Sequence, residues 1–369
     1  MTPEEQLVLR CARSIITNEP VGEPPTLDWE QVLHLAEVNR LAPIVSSALS
    51  IHALPEEWAE RLENSARRSR MRTAVMIEEF QLIHAQLMIT GIPIIPIKGI
   101  AISQQVYPSP SMRYYDDLDL LVPSADGQGA IMVLEKMGYE AHPNAPRPEW
   151  HHLTPHIHRK RGTMVEIHVD LIRRSGQGWP IDDIWNRSKS AILGEVSTTL
   201  LSDEDSLILT VLHARHNLFN RLVYMLDSSL MTAAASNDGQ YWNTVSTLGE
   251  EAGAICALGY TLQTAERLFG SESLADLECS RSRISVANRI ASWDSLEPKR
   301  SSLRQEPLSR MVEVLLMDSL GASISMAARL LFPPRSFMAS ESENQRVSFR
   351  HYLKRITRSA RRAYRQLRK

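Results

Sequence analysis

Asp117 and Asp119 stand two apart in the apolar run Asp117-Leu-Asp119-Leu-Leu-Val. On a strand, side chains two apart project from one face. Two acids sharing a largely buried face repel each other and are costly unless a cation neutralises them. A third acid, Glu166, lies in Thr163-Met-Val165-Glu166-Ile167-His168-Val169-Asp170, which alternates apolar and polar. That alternation places Glu166, His168 and Asp170 on one face and Val165, Ile167 and Val169 on the other. Three carboxylates can hold divalent ions that clamp the attacking and leaving oxygens of a phosphoryl group. Mg²⁺, or Mn²⁺ in its place, prefers such oxygen ligands. Lys98-Gly99 closes the apolar run Ile94 to Ile97. The lysine offers a point charge to phosphates, and the glycine lets a triphosphate approach the backbone.

The elements that position these residues form a small α/β unit over residues 93–172. Ile94–Ile97 reads as a strand, Ile100–Val106 as a helix, Tyr107–Ser111 as a loop and Leu118–Val122 as a strand closed by Pro123. A helix over 124–137 stops at Gly138, a strand begins at Tyr139, and a Pro-rich loop spans Pro143 to Pro148. Before this unit, helices are expected over 4–17, over 28–50 with Asp28 as a capping residue, and from Pro55 to about Thr90. The apolar set of the last is Leu62, Val75, Ile77, Phe80, Leu82, Ile83 and Leu87. Arg67, Arg68, Arg70 and Arg72 crowd its middle as a solvated face or a phosphate-facing patch. Gly91 ends it. From Asp203 onward the pattern is helical, with segments at about 221–236, 240–249, 252–269 and 306–332.

Lys98-Gly99, Tyr107, Arg113-x-x-x-Asp117-Leu-Asp119-Leu-Leu-Val and Val165-Glu166-Ile-His168 together resemble the uncharacterised nucleotidyltransferase family of the polymerase-β-like superfamily. The resemblance spans about residues 30 to 240. It implies an α+β protein: a minimal nucleotidyltransferase fold, a small mixed sheet with helices, plus a largely helical remainder. It also implies Asp117 and Asp119 as metal ligands, Glu166 as the third acid (ligand or general base) and a nucleoside triphosphate such as ATP as substrate. Lys98-Gly99 stands where the superfamily more often has Gly-Ser. The expected organisation is an N-terminal helical region over 1–91, a catalytic core over 92–200, a helical domain over 201–332, a linker over 333–345 and a basic helix over 346–369.

Other residues admit plainer readings. Arg113 either contacts phosphate or fixes its loop by an ion pair. Asp116 points away from Asp117 as a turn residue. His168 borders the site as a nucleotide-contacting group, with His152 a weaker member of the same rim. His151, His152, His156 and His158 lack recognised zinc spacing. His213 and His216, three apart on a helix, cap or pack between helices or reach the nucleotide or acceptor. Asp227 is expected to pair with Arg221 or Arg215. Met225, Met231, Met311 and Met317 are expected in the core. The C-terminal segment has ten Lys/Arg and no acid; it reads as a docked helix, an RNA or acidic-partner contact, or a membrane-surface helix.

With 43% hydrophobic and 23% charged residues and a net charge of −2, the chain is expected to be globular without a global bias to nucleic acid. Three widely spaced cysteines support neither a disulfide framework nor structural zinc. No apolar run reaches membrane-spanning length and no leader is seen, so the chain reads as cytoplasmic. The function expected is a metal-dependent nucleotidyltransferase that moves an NMP to a hydroxyl or phosphate acceptor: a small molecule, a peptide or an RNA. The alternatives are a toxin-type enzyme acting on tRNA or protein, and an inactive nucleotide-binding module.

Overall fold

The computed structural model describes residues 1–22, 26–49, 54–143, 151–171, 179–233, 235, 238–270, 281–290, 293, 295–297 and 307–332, with 352, 353 and 357. The expected Pro-rich loop beyond Pro143, the linker and nearly all of the basic C-terminal helix lie outside these residues.

Helix α1 (Pro3–Thr17) opens on a capping box in which Thr2 and Glu5 satisfy each other's backbone N–H. The single helix expected over 28–50 is instead two, α2 (Trp29–Val38) and α3 (Ala42–Ala48). Arg40, at φ 61, turns the chain between them. Helix α4 (Glu56–Ile89) runs unbroken for 34 residues until Gly91 at φ 75. Its buried face departs from expectation: Val75 and Leu82 are exposed, while Ser65, Ser69, Thr73 and Glu79 are buried. Glu79 is satisfied there by Arg161 and the Tyr139 hydroxyl. The arginine-rich stretch is mostly a solvated face, with Arg68 paired to Glu37 and Arg70 to Glu63.

Strand β1 (Ile95–Ile97) leads into α5 (Gly99–Gln105). Then come β2 (Asp117–Leu121), α6 (Gly127–Lys136), β3 (Tyr139–Ala141), β4 (His156–His158) and β5 (Met164–His168). These strands form one sheet in the order β1-β2-β5-β4-β3. Only the β2–β5 pair is parallel. Helix α7 (Ile181–Arg187) and the hairpin β6 (Lys189–Leu193)–β7 (Val196–Leu200) follow. Neither had been expected, although Leu193-Gly194-Glu195-Val196 carries the turn signal, with Gly194 at φ 63.

The helical remainder is α8 (Asp203–His216), α9 (Leu222–Ala233), α10 (Gly239–Ala252), α11 (Ile255–Phe269), α12 (Arg281–Ile290), α13 (Pro307–Leu315) and α14 (Leu320–Leu331). The last two replace the one helix expected over 306–332. Ser319 caps the second of them, and Met311 is exposed rather than core.

The sheet divides two cores. Leu118, Leu120, Val165 and Ile167 face one that includes Phe80 and Ile83 of α4 and Ala130 and Leu134 of α6. Ile95, Ile97 and Leu121 face the other, which joins α1–α3 to α8–α11. The acids of β2 and β5 share the second face. Strand alternation thus turns the apolar set into one core and aims the carboxylates at the helices beyond the sheet.

Candidate functional site

The parallel register sets Asp119 opposite Glu166, with Asp117 two residues earlier opposite Met164. Antiparallel β1 sets Ile97 opposite Asp119, which delivers the next residue, Lys98, to the same place. Lys98 Nζ lies 2.6 Å from Asp119 Oδ1 and 3.3 Å from His168 Nε2. Nε2 in turn lies 2.8 Å from Asp119 Oδ1 and 3.7 Å from Glu166 Oε2. Lys98, Asp119, Glu166 and His168 therefore converge. Asp117 shares their face at the opening of the strand. The lysine reaches this position through a backbone of φ 56 and ψ −128, a region that disfavours a residue with a Cβ by about 1–3 kcal/mol. Such strain is characteristic of functional turns.

Electrostatics separate the two aspartates. Burial pushes the Asp119 carboxyl up, but the Lys98 charge and the His168 hydrogen bond outweigh it and hold the group well below the ordinary carboxylate range. The Asp117 carboxyl is pushed up to about 7, first by burial and then by the charge of Asp119, with Lys98 opposing. Asp119 and Glu166 face a single ammonium, that of Lys98, with Asp117 on the same face, and a divalent cation would suit this concentration of acids. Asp119, Glu166 and His168 are also the residues whose ligand atoms all lie within 4.8 Å of one another. His168 is completely buried, and its Nδ1 has no hydrogen-bond partner among the described residues. A metal-bound Nε2 would force the ring proton onto that unaccompanied Nδ1, whereas ligating histidines normally donate it. The geometry is better served with the proton on Nε2, donated to Asp119. The acids then fit the ion, and the histidine orients one of them.

A pH prediction follows for Asp117. Its raised value stabilises the fold in chelator fully below the unfolded carboxylate value of about 3.9. That contribution is lost as pH rises through about 7. Urea unfolding in EDTA should show this loss relative to Asp117→Asn, and Mn²⁺ should abolish it. Equal pH profiles of the two proteins in EDTA would refute the assignment.

Arg113 is not brought to the cluster. Its guanidinium donates to both oxygens of Asp227 at 2.8–3.1 Å, and the Tyr107 hydroxyl donates to the same carboxylate at 2.6 Å. All three residues are buried. Asp227 thus pairs with Arg113 rather than with Arg221 or Arg215. Arg215 instead donates to the carbonyls of Gly253 and Leu316. Gly99 also has a structural task. A Cβ there would lie 2.6 Å from the Tyr115 Cβ, so the glycine permits β1–α5 to close on the segment before β2. Gly99→Ala should cost about 1–3 kcal/mol in chemical denaturation, and an unchanged midpoint would rule out that close contact.

The histidines are dispersed in role. His156 Nδ1 lies 2.8 Å from the Thr154 carbonyl, and His158 Nδ1 accepts from the backbone of Lys160 and Arg161. The His151 and His152 rings pack at a tilt against His168, at ring separations of 5.6 and 5.5 Å. Burial, then the Lys98 charge, holds His213 well below the ordinary imidazole range. His216 faces Glu313 at 3.9 Å.

A small mixed sheet with acids on adjacent parallel strands, set among helices, is the architecture of a nucleotidyltransferase. The model of the uncharacterised nucleotidyltransferase family matches residues 25–270, and the chain belongs to that family. All of the residues brought together above fall within the match. No curated protein matches the chain. Membership makes nucleotidyl transfer its general chemistry and a nucleotide its substrate class. No described helix is long and apolar enough to cross a membrane.

Proposed function

We propose that the protein is a divalent-metal-dependent nucleotidyltransferase of polymerase-β-like mechanism, with residues 92–200 as its catalytic core. The observation that carries the reading is the register placing Asp119 against Glu166, with Asp117 on the same face and Lys98 in contact. Asp117, Asp119 and Glu166 would hold the ion, Mg²⁺ or Mn²⁺. When bound, it neutralises phosphate charge in the ground state and the transition state. Lys98 supplies a further positive charge to the phosphates, and His168 fixes the Asp119 carboxylate by donating from Nε2. An acceptor hydroxyl or phosphate oxygen attacks the α-phosphorus, the bond to the bridging oxygen breaks, and pyrophosphate leaves with that electron pair. Glu166, more exposed than Asp119, serves in this reading either as a ligand or as the base that takes the acceptor's proton.

The test is incubation with each α-labelled NTP and Mg²⁺ or Mn²⁺ in cell extract. Metal-dependent transfer of label to one acceptor class is expected. No transfer, together with no metal-dependent nucleotide binding by calorimetry, would reduce the chain to a non-enzymatic module.

A further inference from the structure

Two arginines with no part in the site described so far lie on neighbouring segments, and one of them, Arg40, pairs with Asp116 next to Asp117. Arg40 lies in the break between α2 and α3, and Arg221 immediately precedes α9. The Asn39 side chain fastens these segments together by accepting from the backbone N–H of Leu222 at 3.0 Å. The same side chain donates to the carbonyls of Leu35 and Leu296 at 2.9 and 3.1 Å. Residue 40 is thereby held beside residue 221. The arrangement brings two like charges together and is built on unfavourable backbone. Arg40 is at φ 61, and the turn before Arg221 holds Leu218 and Phe219 at φ 57 and 50. Left-handed backbone at three non-glycine residues costs about 1–2 kcal/mol each, and strain of this kind collects where a ligand is clamped.

Charge accounting leaves this corner cationic. Arg40 pairs with Asp116, lies over the Tyr114 ring at 5.7 Å from its centroid, and is about one-fifth exposed. Asp116 is further held by Arg72, which donates to its carbonyl at 2.6 Å. Arg221 is half-buried, and no described carboxylate forms an ion pair with it. Arg113, nearby, is already neutralised by Asp227. Burial, then the Arg221 charge, holds the Arg40 guanidinium below the ordinary arginine range, and Asp116 only partly offsets them. Arg40 in turn lowers the Asp117 carboxyl. The cluster is thus flanked by Lys98 at Asp119 and by Arg40 at the Asp117 end, with Arg221 behind Arg40.

We propose that Arg40 and Arg221 form the seat for the distal phosphates of the triphosphate substrate, so that the nucleotide lies across the carboxylates between Lys98 and this pair. The inference rests on the nucleotidyl-transfer reading and adds the direction of the triphosphate. Paired guanidiniums suit phosphate because each presents a planar fork of donors. The pair is supplied by the helical elements, so substrate binding would draw on both the sheet and the helices around it.

The test compares ATP with AMP, each with Mn²⁺, by calorimetry on the full chain. Arg221→Gln should weaken ATP about tenfold and leave AMP unchanged, Arg221→Lys should fall between, and Arg40→Gln should act in the same direction. A melting temperature near that of the native chain confirms that Arg221→Gln folds. Equal weakening of ATP and AMP, or unchanged ATP affinity in Arg221→Gln, would overturn the seat while leaving nucleotide binding intact. A native chain that binds no NTP would overturn the underlying function as well.

Discussion

Asp119→Ala should reduce nucleotidyl transfer by on the order of 10³-fold or more, about 4 kcal/mol of transition-state stabilisation. Asp119 is the residue on which the cluster converges. It accepts from Lys98 and from His168, and it faces Glu166 across the parallel pair. Its removal would delete a proposed metal ligand and release Lys98 and His168, the two groups it holds. It also removes one of the charges that push the Asp117 carboxyl up. The remaining aspartate would therefore be more fully ionised at neutral pH yet unable to rebuild the site. Groups that act as one unit are not additive, so Asp117→Ala/Asp119→Ala should be little worse than Asp119→Ala alone. Steady-state transfer by purified, folded variants decides the matter. Turnover within about tenfold of the native chain would end the assignment.

The second large effect concerns stability. Asp227→Ala should cost about 3–5 kcal/mol, because it strands a buried guanidinium. Arg113 and Asp227 are almost fully buried, and the carboxylate also serves the Tyr107 hydroxyl. The pair spans 114 residues of sequence, so it fastens the segment before β2 to α9. Replacing both partners by apolar residues of similar volume should be less damaging than removing the acid alone. Urea denaturation measures both. A loss below about 1 kcal/mol for Asp227→Ala would mean that Arg113 finds water or another acceptor.

The core of the site was legible because strand periodicity is local. Asp117-x-Asp119 and Glu166-x-His168 needed only alternation to place them on common faces, and the resemblance joined them. Lys98 was legible as a charge near the site, but its contact with Asp119 depends on antiparallel pairing that no local pattern states. The role of Gly99 was hidden for a related reason. Its missing Cβ answers to Tyr115, which the fold alone brings near. Arg113 was read with its ion pair as one alternative, and the partner lay too far along the chain to name. Arg40 escaped notice because residues 28–50 carry a continuous helical pattern, and only the left-handed turn at Arg40 interrupts it. The hairpin β6–β7 was passed over despite Gly194, since Lys189–Leu193 and Val196–Leu200 lack a regular apolar–polar alternation.

The Arg113–Asp227 tie also orders events during synthesis. A ribosome completes the sheet and both of its acidic strands well before it reaches α9. Until Asp227 emerges, Arg113 has the Tyr114 carbonyl but not the carboxylate that neutralises it, and a guanidinium without a counter-charge resists burial. The segment leading into β2 must then stay open to solvent, and the carboxylates behind it lack their final setting. The nascent chain would acquire its site only when the helical half closes over the sheet, so a fragment ending before α9 would hold the acids without the enclosure that makes them useful.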